Sequence, residues 1–410
     1  MQAVSELELP QFDYTDPGLR GERLHEVLNG LAAETWIAGS EMGWMFVLDR
    51  EAATFFLRSR SVVFPAATVA DAFEITEGPL SDAIRKNIIA IEGDDHRRLR
   101  NLVNPAFNSR EADRRRPVMR EHLAELWERI AADGGCEFVG DFAKWYPSLM
   151  IATVVGAPAE DAERLHNWAM WFQRQFDPAA IIADRDCIER AIVEFADYAG
   201  ALIERRRDDP GDDLVSTLLT ATHEGDRLSE DECLNLIMNV LAGGVDTTQA
   251  QLAQAIRLFA AHPEQWQLLR ERPELVGAAV EEVLRFEPIT PFTARMTIEE
   301  VVHRDVRIPA GTVLMISTFT ANRDPEAIAE PLSFDITADR GKERPLTFGA
   351  GIHNCLGANL ARAELQEALA FLAPRIDDLA LDGDVEYGSV AGVYGLERLP
   401  VRYRAVKPAA

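Results

Sequence analysis

A long helical pattern over residues 229–261 constrains the fold of this chain more than any other feature. Ser229 and Glu232 have the spacing of a capping box, in which each side chain satisfies a free backbone amide at the start of a helix. Residues 234–245 are apolar almost all round, and a helix of that kind is buried on every side. We therefore predict a helix that crosses the core of the protein.

Helical periodicity also dominates the rest of the chain, over residues 118–132, 161–175, 187–206, 263–272, 273–286 and 358–373. Strand-like segments are few and short. Residues 36–48 favour a hairpin, and residues 301–302, 306–308 and 313–317 favour a second small sheet. Neither an alternating strand–helix–strand pattern nor a domain linker is visible. We predict a mainly α protein with small peripheral β-sheets, folded as a single domain over residues 1–410.

The charge balance and the cysteines limit the partners and the compartment. The formal net charge is -26, from 68 acidic and 42 basic residues. A surface of that sign repels nucleic acid and anionic membranes, so we exclude both as partners. The N-terminal segment is not that of a signal peptide, and no apolar run reaches membrane-spanning length. The four cysteines are too widely spaced for a disulfide framework or a structural zinc site, which favours a cytoplasmic protein.

The segment FGAGIHNCLGANLARAELQ, residues 348–366, places a lone cysteine ahead of an amphipathic helix. A lone cysteine is most often a small buried side chain. His353 lies two residues from Cys355, on the same side of an extended loop, so a nucleophile with a histidine base is a second interpretation. A dinucleotide-binding loop is excluded because Asn354 stands where that motif needs its third glycine.

The physical chemistry of this loop favours a further interpretation, a thiolate bound to a metal. Gly349, Gly351 and Gly357 allow positive φ and a close approach of the backbone to a flat ligand. Cys355 would stand at the start of a helix, where free amide groups and the helix dipole stabilise an anionic sulfur. The loop alone leaves these interpretations open.

The stretch FGAGIHNCLG, residues 348–357, resembles the haem-binding signature of the cytochrome P-450 superfamily. The resemblance implies the cytochrome P-450 fold, with haem b (iron protoporphyrin IX) as the cofactor and Cys355 as the proximal ligand of the iron. It also implies that Phe348 packs beside the sulfur and that His353 contacts a haem propionate.

The long helix carries a second pattern, LAGGVDTT, at residues 241–248. An aspartate and two threonines are costly to bury without partners. The two glycines could instead end one helix, with Asp246 capping the next, and the residues alone favour neither arrangement. The segment resembles the oxygen-activation motif of the same family. The resemblance implies that Gly243 and Gly244 leave room for O2 and that Asp246 and Thr247 pass protons to it.

A third pattern is formed by Glu282 and Arg285, whose spacing is also common on solvated helix surfaces. Its position upstream of the cysteine loop is similar to that of the Glu-x-x-Arg pair of the family. This similarity implies a buried ion pair that braces the loop beneath the haem. Arg340 follows Phe334 and Asp335 slightly later than the third bracing residue of the family usually does, and it is our first choice for that role.

Haem carries two propionates, which need cations. His96 and Arg100 are four residues apart and could point the same way from a helix. Arg295 follows Arg285 at about the distance of the propionate arginine in the family. Together with His353, these residues form the predicted propionate site.

The resemblance implies a bacterial haem-thiolate monooxygenase, which inserts one oxygen atom from O2 into a small, mainly hydrophobic substrate by hydroxylation, epoxidation or dealkylation. The remaining chain has no room for a flavin or iron–sulfur domain. Electrons would therefore come from NAD(P)H through a separate ferredoxin or flavodoxin and its reductase. Because such carriers are acidic, we predict a locally basic surface on the cysteine side of the haem. The residues predicted to form it are Arg97, Arg98, Arg110, Arg114, Arg115, Arg116, Lys342, Arg344 and Arg362.

The alternative function is a peroxygenase or an oxidative coupling enzyme of the same fold. A haem-binding sensor without turnover and a haem-free hydrolase using Cys355 and His353 are further alternatives, and the acid–threonine pair favours the dioxygen route. By the same resemblance, the substrate pocket lies opposite the cysteine. Its predicted lining is Asn239, Ala242, Gly243, Ile289, Thr290, Phe292, Val393 and Tyr394.

Overall fold

Helices form most of the protein. The structure, a computed structural model, describes residues 1–223, 225–341 and 343–407. No helix within these ranges is both long enough and apolar enough to span a membrane. The helices are α1 (Gly21–Glu34), α2 (Arg50–Arg58), α3 (Ala66–Ala72), α4 (Pro79–Arg85), α5 (Gly93–Val103), α6 (Ser109–Arg114), α7 (Arg116–Ile130), α8 (Trp145–Val155), α9 (Ala162–Gln173), α10 (Pro178–Asp208), α11 (Leu214–Thr220), α12 (Glu230–Ala261), α13 (Pro263–Glu271), α14 (Val276–Phe286), α15 (Thr318–Ala321) and α16 (Ala358–Leu372).

Short strands form small sheets beside the helices. They are β1 (Gln2–Ala3), β2 (Ile37–Ala38), β3 (Met45–Val47), β4 (Val62–Val63), β5 (Gly135–Glu137), β6 (Thr222–His223), β7 (Asp226–Arg227), β8 (Phe292–Thr297), β9 (Val301–His303), β10 (Val306–Ile308), β11 (Val313–Ser317), β12 (Ile376–Leu381), β13 (Glu386–Tyr387), β14 (Leu396–Arg398) and β15 (Pro400–Ala405). The larger sheets have the strand orders β1-β10-β9, β2-β3-β11-β8-β4 and β12-β15-β5, and β13-β14 and β6-β7 form pairs.

Helix α12 runs through the main hydrophobic core, as its sequence predicts. The capping box forms: the Glu232 amide donates to Ser229 Oγ at 3.3 Å, and the Ser229 amide donates to Glu232 Oε2 at 2.8 Å. The helix continues through Gly243 and Gly244, so the arrangement in which Asp246 caps a second helix is wrong. A Cβ on Gly244 would stand 2.7 Å from Ile151 Cδ1, so this glycine lets α8 approach closely.

The predicted helices are confirmed, with ends that differ by a few residues. The largest difference lies in α10, which was predicted to begin at residue 187. It begins at Pro178 and has a kink at Asp184 (φ −124°, ψ 17°). Asp177 caps this helix by accepting a hydrogen bond from the Ala179 amide at 2.9 Å. Proline at the first helical position and an aspartate before it are typical start signals, and they extend the helix beyond the periodic segment.

The strand predictions are confirmed only in part. The predicted hairpin is present, since β2 and β3 pair antiparallel. The prediction that residues 301–317 form one sheet is wrong: β9 pairs with β10, whereas β11 pairs with β3 in parallel and with β8 antiparallel. Leu314, Met315 and Ile316 of β11 are all buried, which suits a strand covered on both faces in the middle of a sheet.

Candidate active site

A cavity of about 350 Å³, which we call the central cavity, is lined by both α12 and the cysteine loop. Helix α12 contributes Asn239, Gly243 and Thr247, and the loop contributes Phe348 and Cys355. The start of α16 lines the same space. The fold therefore joins two patterns that lie about a hundred residues apart in the chain.

The cysteine loop is held by its own backbone. The Cys355 amide donates to the Phe348 carbonyl at 2.9 Å, and Asn354 Nδ2 donates to the same carbonyl at 3.1 Å. Cys355 is accessible from the cavities that it lines, so it is not a packed core side chain. The surrounding protein still removes much of the bulk water from the sulfur, and this desolvation raises the pKa of the thiol, while the amides of Gly357 and Ala358 at the start of α16 act in the opposite direction.

The glycines of this loop have different roles. Gly349 has a φ of +69° and lines the central cavity, which Gly357 also lines. The interpretation that Gly351 serves a flat ligand is not what the structure shows. A Cβ on Gly351 would stand 2.3 Å from the carbonyl oxygen of Leu57, so this glycine allows the loop to approach the backbone at the end of α2. That partner is distant in sequence and leaves no local signal.

The predicted propionate cations gather at the central cavity. His96, Arg100, Arg295 and His353 all line it, and the rings of His96 and His353 lie 4.4 Å apart. Burial, together with the neighbouring His353 and Arg100, lowers the pKa of His96 to about 4. Burial lowers the pKa of Arg295 to about 10. Glu92, which sequence reasoning missed, bonds His353 Nε2 through its Oε1 at 3.0 Å.

These residues fit a haem. His353 Nδ1 is buried without a protein partner among the described residues, and Arg295 finds only the Ala294 carbonyl at 2.8 Å and the Thr293 hydroxyl at 3.4 Å. Crowded, partly desolvated arginines and histidines with unused donors are what two carboxylates would satisfy. Cys355 offers a thiolate ligand to the same space.

The acid–threonine pair lies on α12 beside the cavity. Thr247 lines the cavity and its hydroxyl donates to the Gly243 carbonyl at 2.5 Å. Asp246 is outside the cavity lining, as expected for adjacent helical residues that point about 100° apart. Burial raises the pKa of Asp246 to about 6.

Glu282 and Arg285 form a buried ion pair on α14. Arg285 donates through Nε and an Nη atom to the two oxygens of Glu282 at 2.7 and 2.8 Å, and the side chains are only 2% and 4% exposed. Arg340 donates to Glu282 Oε1 at 2.7 Å, which gives it the position of the third bracing residue. The Asp335 amide adds a bond of 3.0 Å. Burial acts to raise the pKa of Glu282, but the bonds from Arg285 and Arg340 prevail and lower it.

Asn322 connects the start of the cysteine loop to α14 and is a structural residue that sequence reasoning missed. Its Oδ1 accepts the Leu346 amide at 2.7 Å, and its Nδ2 donates to Thr347 Oγ1 at 3.0 Å. Thr347 then donates to the Leu284 carbonyl at 2.5 Å. Its partners lie 24 and 25 residues further along the chain, so the local sequence carries no signal for this role.

The structure divides the predicted substrate residues. Asn239, Gly243, Ile289 and Thr290 line the central cavity, whereas Ala242, Phe292, Val393 and Tyr394 are not among its lining residues. Phe292 and Tyr394 belong instead to a separate core cluster. The Tyr394 hydroxyl accepts the Gly21 amide at 2.7 Å, and its ring stacks on Tyr387.

A second space of about 840 Å³, which we call the cysteine-side cleft, lies next to the cysteine loop and is also lined by Cys355. Of the residues predicted to form a basic surface, only Arg344 and Arg362 line it, and Lys342 lies outside the described residues. Arg97, Arg98, Arg114 and Arg116 have carboxylate partners of their own. The predicted surface is therefore not confirmed. The charged side chains that do line the cleft are Glu343 and the arginines Arg50, Arg58, Arg100, Arg344 and Arg362, of which Arg50 pairs with Glu343 and Arg362 pairs with Glu281.

Comparison with known proteins agrees with this geometry. The sequence model of the Cytochrome P450 family matches residues 70–372. Luteothin monooxygenase from Streptomyces thioluteus is 35% identical over 403 residues, which cover 97% of each chain. Mycinamicin IV hydroxylase/epoxidase from Micromonospora griseorubida is 37% identical over 303 residues, 73% of this chain and 75% of that protein. The crystal structure of CalO2 superposes with a TM-score of 0.89 at 28% identity, over 98% of this chain and 100% of that one.

A mainly helical fold in which one cavity joins a loop cysteine, a core-helix threonine and a rim of arginines and histidines is that of a haem-thiolate protein. The chain belongs to the cytochrome P450 family. It is a haem-thiolate monooxygenase, which uses haem, O2 and electrons derived from NAD(P)H through partner proteins.

Proposed function

We propose that Cys355 is the thiolate ligand of the haem iron in this monooxygenase, and that residues 1–410 fold as one domain around the haem. The observation that carries the proposal is that a single cavity brings together Cys355, Thr247, two arginines and two histidines from separate parts of the chain. Phe348 and Gly349 would pack against the haem beside the sulfur. The propionates would bind His96, Arg100, Arg295 and His353.

A thiolate-bound haem supplies reductive activation of O2, which places one oxygen atom in the substrate and the other in water. The protein must deliver the protons for that water. With a pKa of about 6, the Asp246 carboxyl can take up and release a proton near neutral pH. The Thr247 hydroxyl, which now bonds the Gly243 carbonyl, can turn its hydrogen into the cavity. Asp246 and Thr247 Oγ1 are therefore the proposed proton route.

Replacing Thr247 by alanine is expected to uncouple electron use from product formation. The variant keeps its haem and consumes NAD(P)H, but the yield of product per NAD(P)H falls by about tenfold or more, because no hydroxyl holds the proton at the cavity. Product, hydrogen peroxide and NAD(P)H are measured together, with a compound that shifts the spin state of the haem as substrate.

Thr247→Ser is the matched control, since it keeps Oγ, and its product yield is expected to stay near that of the unchanged protein. An unaltered product yield in Thr247→Ala would contradict the proton route and favour the alternative function, in which hydrogen peroxide replaces O2 and electrons.

We infer a small, mainly hydrophobic substrate. Aliphatic side chains support this, because they line much of the central cavity and bind apolar surface without directional bonds. The names of relatives refer to a hydroxylase/epoxidase and a 25-hydroxylase, which supports those reaction types here. The aliphatic lining residues away from the cysteine loop include Ile88, Ile89, Leu236, Val240 and Ile289.

We also propose that a small acidic electron carrier, a ferredoxin or flavodoxin served by its reductase, docks at the cysteine-side cleft in the cytoplasm. The charge of the cleft supports this site, since it is basic on a chain whose net charge is -26. Arg58 and Arg344 are its exposed cations, and neither has a carboxylate partner within the described part of the chain.

Charge reversal at Arg344 is expected to slow electron transfer from an acidic ferredoxin by about tenfold at low salt, because complementary charge mainly accelerates association. The difference should shrink as the salt concentration rises. Stopped-flow reduction of the haem under carbon monoxide measures the rate. Arg23→Glu, an exposed arginine on α1 outside the cleft, is the control. Equal rates for Arg344→Glu and Arg23→Glu would exclude this docking site.

A further inference from the structure

The loop between α4 and α5 forms part of the wall of the central cavity through Ile88 and Ile89. It is folded by Asn87, whose carbonyl accepts the Ala90 amide at 2.8 Å and whose Oδ1 accepts the Ile89 amide at 3.2 Å. The Ile88 amide has its partner outside the loop: it donates to Asn239 Oδ1 on α12 at 2.9 Å. One side chain of α12 therefore fixes the position of this wall.

The same bond determines which way the amide group of Asn239 faces. A backbone N–H can only donate, so the oxygen of Asn239 must face the loop and its Nδ2 must point elsewhere. Asn239 lines the central cavity, and its Nδ2 has no protein acceptor in residues 1–223, 225–341 and 343–407. The neighbouring lining residues Ile88, Leu236 and Val240 are aliphatic. An amide donor in an apolar wall is costly unless something accepts its hydrogen bond.

We propose that Asn239 determines substrate specificity: its Oδ1 holds the loop between α4 and α5 in place, while its Nδ2 donates a hydrogen bond to an acceptor oxygen of the substrate. The inference rests on the proposed function and names the substrate class more closely. The substrate is an apolar molecule that carries a carbonyl, ester or ether oxygen away from the carbon that is oxidised.

The spacing of Asn239 and Thr247 along α12 indicates how far the acceptor oxygen lies from the oxidised carbon. Asn239 and Thr247 are eight residues apart on α12, so their levels differ by about 12 Å along the helix axis. Thr247 marks the level at which oxygen is activated. The acceptor oxygen and the oxidised carbon are therefore separated by a comparable length, which favours elongated molecules over compact ones.

The test compares a ketone with its hydrocarbon, 2-dodecanone with dodecane, by titrating the spin-state shift of the haem-loaded protein. The ratio of the two dissociation constants isolates the ketone oxygen from general effects on binding. Asn239→Asp keeps the acceptor for the Ile88 amide but lacks the donor, whereas Asn239→Leu lacks both. We expect the ketone preference to fall by several-fold to about tenfold in both variants.

Hydrogen exchange of the peptide that contains Ile88 separates the two roles. Exchange should stay slow in Asn239→Asp and become faster in Asn239→Leu. A ketone preference that survives in Asn239→Leu overturns the substrate role, and equal exchange in the unchanged protein and in Asn239→Leu overturns the role in the loop. The reduced spectrum with carbon monoxide is recorded for each protein. If the unchanged protein showed no thiolate band, that result would instead refute the proposed function.

Discussion

Replacing Cys355 by alanine is expected to remove the far-shifted Soret band that the reduced protein shows with carbon monoxide, and to reduce oxygenation to the background level. That band requires thiolate ligation of the iron, and thiolate donation would also favour cleavage of the O–O bond. The loop itself should survive, because the contact from Cys355 to Phe348 is made by the backbone amide and not by the sulfur. Reduced difference spectra and bound haem per protein are the measurements.

Cys136→Ala provides the control for this experiment. Cys136 is also a free thiol, but it lies on β5 and lines neither the central cavity nor the cysteine-side cleft. Its replacement should leave the band unchanged. A band that persists in Cys355→Ala would assign the iron ligand to another residue. A haem-free hydrolase, in contrast, would show no band in any of the three proteins.

Local sequence patterns predicted the parts of the site that depend on neighbours along the chain. The capping box and apolar run predicted α12 as a core helix, and the glycine-rich loop predicted a cysteine close to the start of a helix, where Cys355 lies two residues before the cap of α16. Polar residues with helical spacing, such as His96 and Arg100, indeed line one cavity. Each of these features rests on interactions within a few residues, which periodicity and capping chemistry describe well.

Features that depend on distant partners could not be predicted in this way. Gly351 is required by the carbonyl of Leu57, and Tyr394 is held by the amide of Gly21. Likewise, Arg98 and Arg114 were expected on a docking surface, but carboxylates brought close by the fold neutralise them. A side chain's role at these positions is decided by which segment packs against it, and the local sequence carries no information about that segment.

Replacing Glu282 by alanine is expected to cost about 3–5 kcal/mol of the free energy of unfolding, because it leaves Arg285 and Arg340 facing each other in the interior without a counter-charge. The substitution should also weaken haem binding. Arg285 also donates to the carbonyls of Pro331 and Ser333 at 2.7 Å, so the same charge cluster holds the segment that leads into the cysteine loop. The unfolding midpoint and the haem bound per protein should therefore fall together.

Glu281 supplies the matched control on the same helix. It pairs with Arg362, but its side chain is 37% exposed, so Glu281→Ala should cost about 1 kcal/mol or less. Glu282→Gln should lie between the two, because an amide oxygen can still accept from Arg285 although the charge is gone. If Glu282→Ala lost no more stability and no more haem than Glu281→Ala, the cysteine loop would have to be held mainly by Thr347, whose hydroxyl bonds the Leu284 carbonyl without involving the ion pair.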